Sequence, residues 1–528
     1  MAKICLCLTA KTIAADLEIL ARNRSCIDIA ELRVDCLAPD ERFLIRNFPE
    51  QAGLPVILTI RREKDGGNFA EGEASRIRLL AQGLAFAQAD RRKNFAYVDL
   101  EEDLNVPSLE EAARTFGTRI IRSAHCFNGV GGDMPGKLRS LRRTGDEIAK
   151  IAVQARGTAD ALALVRAARE ARDMDKIFLC MGHYGVFTRI LTEKLGSQIS
   201  YTSADEEGVP QAAPGQLCPR DLAELYRFRG IGPETKVFGV LGHPLRVTNS
   251  PKFFNTVFAL EAANAVYVPF PTDSLKDFMA LADELGLSGV SVTVPYKEAI
   301  LDYLGSMSED VGRIGACNTI SRGPRGWEGT NTDMRGFSDS LLAFIGALAG
   351  GQGAETARPR RIGFPAARKP AGPPSNLKGR KVTVIGAGGA ARAVAAELYR
   401  LGARALILNR TPAKARNLAA PYKFRWGGLN ERGMDQMERF SDIIIQTTPA
   451  GMEGDPGRDP LETYPFSGKE IVMDLVYQPD RTPFLRRAEA ASCPVLNGYD
   501  MFIRQARYQY TQFFKRDFPA DLLARVNI

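Results

Sequence analysis

Short apolar runs recur along the first 220 residues, with amphipathic stretches between them. The runs are Ile4–Ala10, Ile27–Asp35, Pro55–Arg62, Phe95–Glu101, Thr118–Phe127, Ile148–Ala155, Ile177–Gly182 and Ile199–Ala204, and they read as strands. Ala74–Gln88 and Ala159–Ala171 carry helical spacing instead. Eight strands alternating with helices over this length predict an α/β fold, a (β/α)8 barrel, whose reacting groups sit at the carboxyl ends of the strands. Polar residues stand there: Glu31, Arg33, Arg61, Asp99, Glu101, His125, Lys150 and Ser203.

Lys150 interrupts the otherwise apolar run Ile148-Ala149-Lys150-Ile151-Ala152-Val153. A free lysine amine has a pKa of about 10.4, so roughly one in 2500 is neutral at pH 7. Burial disfavours the ammonium, which makes a lysine inside such a strand a candidate Schiff-base nucleophile. The alternative is a lysine that snorkels out of an edge strand. His125 is one of three histidines and ends the preceding strand. It can relay protons near neutral pH. The two together suit removal of a proton beside a ketone.

Beyond Leu217 the pattern predicts a last barrel helix at Pro219–Phe228, a Gly-Ile-Gly-Pro hinge, and a new strand at Thr235–Val240. Thr248 and Ser250 precede a helix opened by Pro251, which suits an anion site or, more simply, N-capping by Ser250. The β run Gly289–Val294 ends at Pro295 and leaves Lys297 just past it, a place where an isolated surface lysine is the default. Asn318 and Asp333 stand at other element ends. A lysine and an aspartate in one cleft would form a charge-assisted pair able to hand a proton to an alkoxide. Residues 349–376 are rich in Gly, Pro and Arg without periodicity and read as a flexible insertion.

The strand Lys381–Ile385, the turn Gly386-Ala387-Gly388-Gly389-Ala390 and the helix Ala390–Leu401 together form a dinucleotide signature. The next strand, Ala405–Leu408, ends in Asn409-Arg410-Thr411 with Lys414 nearby. An acid there would hold a ribose 2′-OH, whereas these groups suit a 2′-phosphate, so NADP is expected over NAD. Further strands are predicted at Asp442–Thr448 and Glu470–Tyr477, and a helix from about Asp500 to Phe514.

At 528 residues the chain needs several cores. A net charge of +8 is modest for this size, and no basic block typical of nucleic-acid binding occurs. No apolar run reaches about 18 residues, so no membrane span is expected. Met1–Leu8 reads as a strand that starts at once, so no leader is expected, and nine scattered cysteines without zinc spacing read as reduced thiols. A cytoplasmic protein with no metal site is the expectation.

A resemblance now becomes visible. Glu31-Leu32-Arg33, Thr59-Ile60-Arg61 with Asp65-Gly66-Gly67, Ser123-Ala124-His125, Lys150-Ile151-Ala152, Gly182 to Arg189 and Ala213-Pro214-Gly215-Gln216 resemble type I 3-dehydroquinate dehydratases. That resemblance implies an imine on Lys150, proton transfer by His125, and substrate contacts from Glu31, Arg33, Arg61, Arg189 and Gln216. Asp65 stands where the family has a glutamate paired to the histidine, and Ala212 where it has a serine.

The second half resembles shikimate dehydrogenases through Thr248-Asn249-Ser250-Pro251, Val292 to Lys297, Gly315 to Thr319, Asn331-Thr332-Asp333, the glycine turn, Asp474 to Tyr477 and Asn497 to Gln505. This likeness implies Lys297 and Asp333 as the catalytic pair. Thr248, Ser250, Thr293, Asn318 and Gln505 would bind substrate. NADP would lie on Gly386, Ala387, Gly388, Gly389, Ala390, Asn409, Arg410, Thr411, Lys414, Thr447 and Gly498. The order resembles the bifunctional dehydratase–dehydrogenases of plants and some microbes. It implies a barrel over 1–228 fused to a two-domain α/β unit. That unit has a substrate domain over 235–348, completed by a helix at about 500–515, and a Rossmann domain over 377–499. The expected ligands are 3-dehydroquinate, 3-dehydroshikimate, shikimate and NADP. The alternatives are a quinate/shikimate dehydrogenase with a weak or inactive dehydratase half, and a non-catalytic quinate-pathway regulator.

Overall fold

The eight runs of the first half all become strands, each within a few residues of its predicted span. They are β1 (Lys3–Leu8), β2 (Ile29–Arg33), β3 (Val56–Thr59), β4 (Tyr97–Glu101), β5 (Arg119–Cys126), β6 (Ile148–Gln154), β7 (Lys176–Met181) and β8 (Ile199–Ser203). The computed structural model describes residues 1–528 except 85–89, 207, 246–247, 351–375, 456, 524 and 527–528. The strands pair in parallel in the order β7-β6-β5-β4-β3-β2-β1-β8. Gln198 N–H donates to the Lys176 carbonyl at 2.9 Å and brings the start of β8 to β7, so the barrel nearly closes.

Successive side chains on a strand point to opposite faces, and this alternation builds the inside of the barrel. Ile29, Ile57, Ile121, Ile148, Ile177 and Ile199 share one inner apolar cluster. Two positions further along four of those strands stand Glu31, Thr59, Ser123 and Lys150, so the same inward face turns polar toward the carboxyl ends.

Two helical predictions need correction. The Ala74–Gln88 helix runs over Glu73–Gly83, and 85–89 lie outside the described residues. The predicted Pro219–Phe228 helix is largely a five-residue π turn, Asp221–Leu225, in which Tyr226 N–H reaches five residues back to the Asp221 carbonyl at 3.0 Å. Cys218 Sγ meanwhile accepts the Asp221 N–H at 3.3 Å.

The chain forms two compact units: Met1–Gly239 with Phe254–Leu287, and Val240–Phe253 with Ser288–Ile528. In the first unit the helix Leu275–Leu285 lies against the helix Thr158–Glu170, where Arg166 and Arg169 pair with Glu284 at 3.0 and 2.6 Å. Strands β9 (Lys236–Gly242) and β10 (Ala265–Pro271) lead along the chain to β11 (Leu287–Val292), β12 (Ser306–Met307), β13 (Thr319–Gly323) and β14 (Gly326–Thr330). β11, β13 and β14 form an antiparallel ladder, with β12 parallel to β14.

The second unit also holds six parallel strands: β15 (Lys381–Ile385), β16 (Arg404–Asn409), β17 (Arg425–Gly428), β18 (Ile443–Gln446), β19 (Ile471–Asp474) and β20 (Val495–Leu496). Their order, β17-β16-β15-β18-β19-β20, is that of a Rossmann sheet, with the switch between β15 and β18. Val384 and Ile407 enter one core while Ile385 and Leu408 enter the core on the opposite face. The helices Asp333–Ala349 and Tyr499–Phe514 pack closely at Gly336, where an added Cβ would lie 2.8 Å from Gln505 Cβ. The expected insertion falls largely on 351–375, outside the described residues.

Candidate active sites

The polar rung of the barrel surrounds Lys150. Its side chain is buried, with Nζ 2.8 Å from Asp99 Oδ2 and 3.8 Å from Glu31 Oε1, and it lies 4.2 Å from the centre of the Tyr201 ring. Lys150 is therefore not a snorkelling surface lysine. The register sets Ser123 beside Lys150, and Ser123 Oγ donates to Asp99 Oδ1 at 2.5 Å. Arg61 reaches Asp99 at 2.9 Å and Glu101 at 2.7 Å, while Arg33 grips Asp35 with two bonds of 2.9 and 2.8 Å. Thr59 Oγ1 and Cys7 Sγ both donate to Glu31. Burial alone would raise the Asp99 carboxyl, but Arg61 and Lys150 overcome it and hold Asp99 ionised well below the usual range.

Cys7, Glu31, Arg33, Arg61, Lys150 and Tyr201 line a cavity of about 110 Å³ that also takes in His125, Arg189 and Gln216. Burial, then the Arg61 and Lys150 cations, push the His125 imidazole well below its ordinary value, so it stays neutral near pH 7. Its Nδ1 has no hydrogen-bond partner among the described residues. Arg189 is 1 % exposed, and its guanidinium donates to the Tyr201 and Pro214 carbonyls, at 3.1 and 3.4 Å. Among the described residues it has no carboxylate partner, and burial pulls it down to about 10. A buried cation with no counter-ion is a ready place for an anion.

The pairing expected of Asp65 does not form. Asp65 lines the cavity, but its Oδ2 accepts from Arg62 Nε at 2.7 Å and leaves His125 Nδ1 unpartnered. The short side chain lies on a tight turn closed by Gly66 (φ +80°), within reach of the neighbouring arginine.

In the second unit Lys297 Nζ meets Asp333 Oδ2 at 2.5 Å. Asn318 Nδ2 holds the other carboxylate oxygen at 2.8 Å, and Asn318 Oδ1 accepts the Thr332 N–H at 2.8 Å. Thr332 Oγ1 passes the chain to Gln505 Oε1 at 3.3 Å. Four expected residues therefore meet in one network: Lys297, Asp333, Asn318 and Gln505. Thr248 and Ser250 form a second cluster at the start of the helix Ser250–Leu260, with their hydroxyls 3.2 Å apart. Beside it, Asn249 N–H approaches Tyr477 Oη at 3.4 Å, and the Tyr477 ring stacks on Phe502, one turn before Gln505. Thr293 packs its methyl over Gly242, where a Cβ would come within 2.6 Å.

The glycine turn fits a dinucleotide. Gly386 has φ +114°, and a Cβ there would meet Thr447 Oγ1 at 2.4 Å; that hydroxyl donates to the Ile385 carbonyl at 2.7 Å. Gly388 leads into the helix Gly389–Arg400 without a side-chain cap and with open space around it, so the N–H groups of its first turn, at Gly389 and Ala390 after Ala387, are free to meet a pyrophosphate. At the end of β16, Asn409 Nδ2 braces the Thr411 carbonyl at 3.0 Å, while Arg410 and Lys414 are exposed. Gly498 opens the last helix where a Cβ would strike the Leu475 carbonyl at 2.1 Å. These are cationic and amide groups with no acid at the ribose end, which suits a 2′-phosphate.

Comparison with known proteins places both halves of the chain in known families. A family model for type I 3-dehydroquinase matches residues 4–233, one for the shikimate dehydrogenase substrate binding domain matches 240–320, and one for shikimate / quinate 5-dehydrogenase matches 367–452. The chain is 30% identical over 507 residues to the chloroplastic bifunctional 3-dehydroquinate dehydratase/shikimate dehydrogenase of Arabidopsis thaliana, covering 94% of this chain and 79% of that one. The chain belongs to the bifunctional 3-dehydroquinate dehydratase/shikimate dehydrogenase family.

The shikimate biosynthesis protein AroDE of Chlamydia pneumoniae is 25% identical, over 94% of this chain and 92% of its own. The shikimate dehydrogenase (NADP(+)) of Caldanaerobacter subterraneus is 32% identical, over 54% of this chain and 96% of its own. In the dehydratase half, sequence reasoning missed the binding of Asp99 to both Lys150 and Arg61, and the contacts of Cys7, Tyr201 and Ser203. In the dehydrogenase half it missed Thr332 and Gln509. Gln509 is buried, donates to the Asn318 carbonyl at 3.3 Å, and lies one turn beyond Gln505, a spacing that could have disclosed it.

Proposed function

We infer that the barrel dehydrates 3-dehydroquinate to 3-dehydroshikimate and that the second unit reduces 3-dehydroshikimate to shikimate with NADPH. The observation that carries the first step is a buried amine, a neutral imidazole and an unpaired guanidinium in one cavity. Arg189 takes the substrate carboxylate. The Lys150 amine adds to the ketone carbon, and the ketone oxygen leaves as water, giving an imine. His125 removes a proton from the adjacent carbon, and the released electron pair expels the neighbouring hydroxyl, which takes a proton from His125 and leaves as water. Hydrolysis of the imine returns Lys150. Glu31, Arg33, Arg61 and Gln216 hold the ring hydroxyls, and Asp99 holds Lys150 in place.

In the second unit Thr248 and Ser250 receive the carboxylate at a helix start, and Thr293, Asn318 and Gln505 receive hydroxyls. NADPH, when bound, supplies the hydride. The Lys297–Asp333 pair supplies the proton to the oxygen that becomes the new hydroxyl, and Asn318 keeps Asp333 aimed at Lys297. Arg410 and Lys414 favour NADP through its 2′-phosphate. The nine cysteines are free thiols, which fits the reducing cytoplasm. Among the described residues no helix is long and apolar enough to cross a membrane.

Borohydride trapping tests the first site. Reduction in the presence of 3-dehydroshikimate should add the mass of the reduced imine to the peptide carrying Lys150, and Lys150→Ala should abolish it. An adduct on another lysine, or none, contradicts the mechanism. Lys297→Ala and Asp333→Asn should each slow the reduction by about 10²–10⁴-fold, the usual range for loss of a positioned acid.

A further inference from the structure

We propose that Ser203 is the positioning residue that orients Gln216 and anchors the loop preceding it over the dehydratase cavity. The inference rests on the dehydratase reading of the barrel and adds a group to it. Ser203 is the last residue of β8, on the same inward face as Ile199 and Tyr201, and it is buried. Its hydroxyl donates to Gln216 Oε1 and accepts the Ala212 N–H at 3.3 Å. Its own N–H donates to the Leu217 carbonyl at 3.2 Å. One residue at a strand end thus holds both ends of the segment 212–217.

The consequence lies in the direction of the Gln216 amide. Ala213 N–H donates to Gln216 Oε1 at 3.2 Å. A backbone N–H can only donate, so this bond establishes which end of the amide is oxygen, free of the usual ambiguity of amide flips. With both donors on the oxygen side, the NH₂ group is turned to Cys7 Sγ at 3.4 Å, and its second N–H is left for a ligand hydroxyl. Without the Ser203 hydroxyl the oxygen keeps one donor, Ala212 N–H loses its acceptor, and the segment is held less firmly. Lys150 and His125 stand on β6 and β5 and make no bond to Ser203, so the loss should fall on substrate binding and not on the chemical step.

The test uses the full chain. The dehydratase kcat and KM for 3-dehydroquinate are measured for the parent, Ser203→Ala and Ser203→Thr, and trapping at Lys150 under saturating 3-dehydroshikimate verifies an intact barrel in each. Ser203→Ala should raise KM about ten-fold, the effect of roughly one lost hydrogen bond, with kcat within about three-fold. Ser203→Thr keeps the hydroxyl and should restore KM. An intact Ser203→Ala barrel with unchanged KM, or with a loss confined to kcat, overturns the role of Ser203 alone. If Ser203→Ala is not trapped, Ser203→Cys, which keeps the shape and weakens the donor, must raise KM; an unchanged KM there overturns the role equally. A parent that fails to dehydrate 3-dehydroquinate overturns the dehydratase reading together with it.

Discussion

His125 shows how its surroundings decide what a side chain does. Burial and nearby cations, Arg61 and Lys150 foremost, disfavour its protonated form, so the folded-state pKa lies below the ordinary 6.5. The neutral base is then present at pH 6.5 and is lost only at lower pH. Because kcat/KM reports groups of the free enzyme, the acid limb of the dehydratase kcat/KM profile assigned to His125 should fall well below pH 6.5. A limb at 6.5 that disappears in His125→Ala would show an imidazole in an ordinary environment. The exposed guanidinium of Arg410 works by charge instead. A charge-assisted contact contributes about 1.5–3 kcal/mol, so Arg410→Ala should raise the KM for NADPH about 10–100-fold and leave that for NADH nearly unchanged. Equal effects on both cofactors would mean that Arg410 does not meet the 2′-phosphate. Lys150 was legible in the sequence because a cation inside an apolar strand contradicts its neighbours. Asp99 and Ser203 were visible only as polar strand ends, because their bonds join residues 51 and 13 positions apart. The bond from Asp65 to Arg62 depends on a single turn of the backbone and could not be read in advance.

Elements were read more securely than their partners. Short apolar runs with amphipathic stretches between them disclosed all eight barrel strands, and apolar runs around the glycine turn disclosed β15, β16, β18 and β19 but not β17 or β20. Helix ends were less secure: the π turn after Pro219 depends on a thiol–amide contact that periodicity does not encode. The start of the Thr158–Glu170 helix is another such case. Its N-cap, Gly157, has no side chain, and the cap comes from Asp273, 115 residues away, whose Oδ1 accepts from Thr158 N at 2.8 Å and from Thr158 Oγ1 at 2.7 Å. A Cβ on Gly157 would lie 2.4 Å from Asp273 Oδ2. Replacing a capping carboxylate by alanine costs about 1 kcal/mol, so Asp273→Ala should lower the melting temperature of the first unit by about 2–4 °C. An unchanged transition, read by retention of dehydratase activity after heating, would show that the cap adds no stability.

At the scale of the whole molecule, two compact units each carry a site built on their own strand ends. The product inferred for one site is the substrate inferred for the other. The barrel and the Rossmann sheet were both legible from the alternation of strands and helices, whereas the chemistry was legible only where motifs met those strand ends. The two sites draw on different residues, so loss of Lys150 should leave reduction of 3-dehydroshikimate within about two-fold of the parent, as expected for residues that share no partners. The most direct measurement supplies 3-dehydroquinate and NADPH to the parent and to Lys150→Ala and follows the nicotinamide absorbance. Oxidation by the parent, its loss in Lys150→Ala, and its return on adding 3-dehydroshikimate are the predicted results. Oxidation that persists in Lys150→Ala with 3-dehydroquinate alone, or no oxidation by the parent with either substrate, would contradict the account.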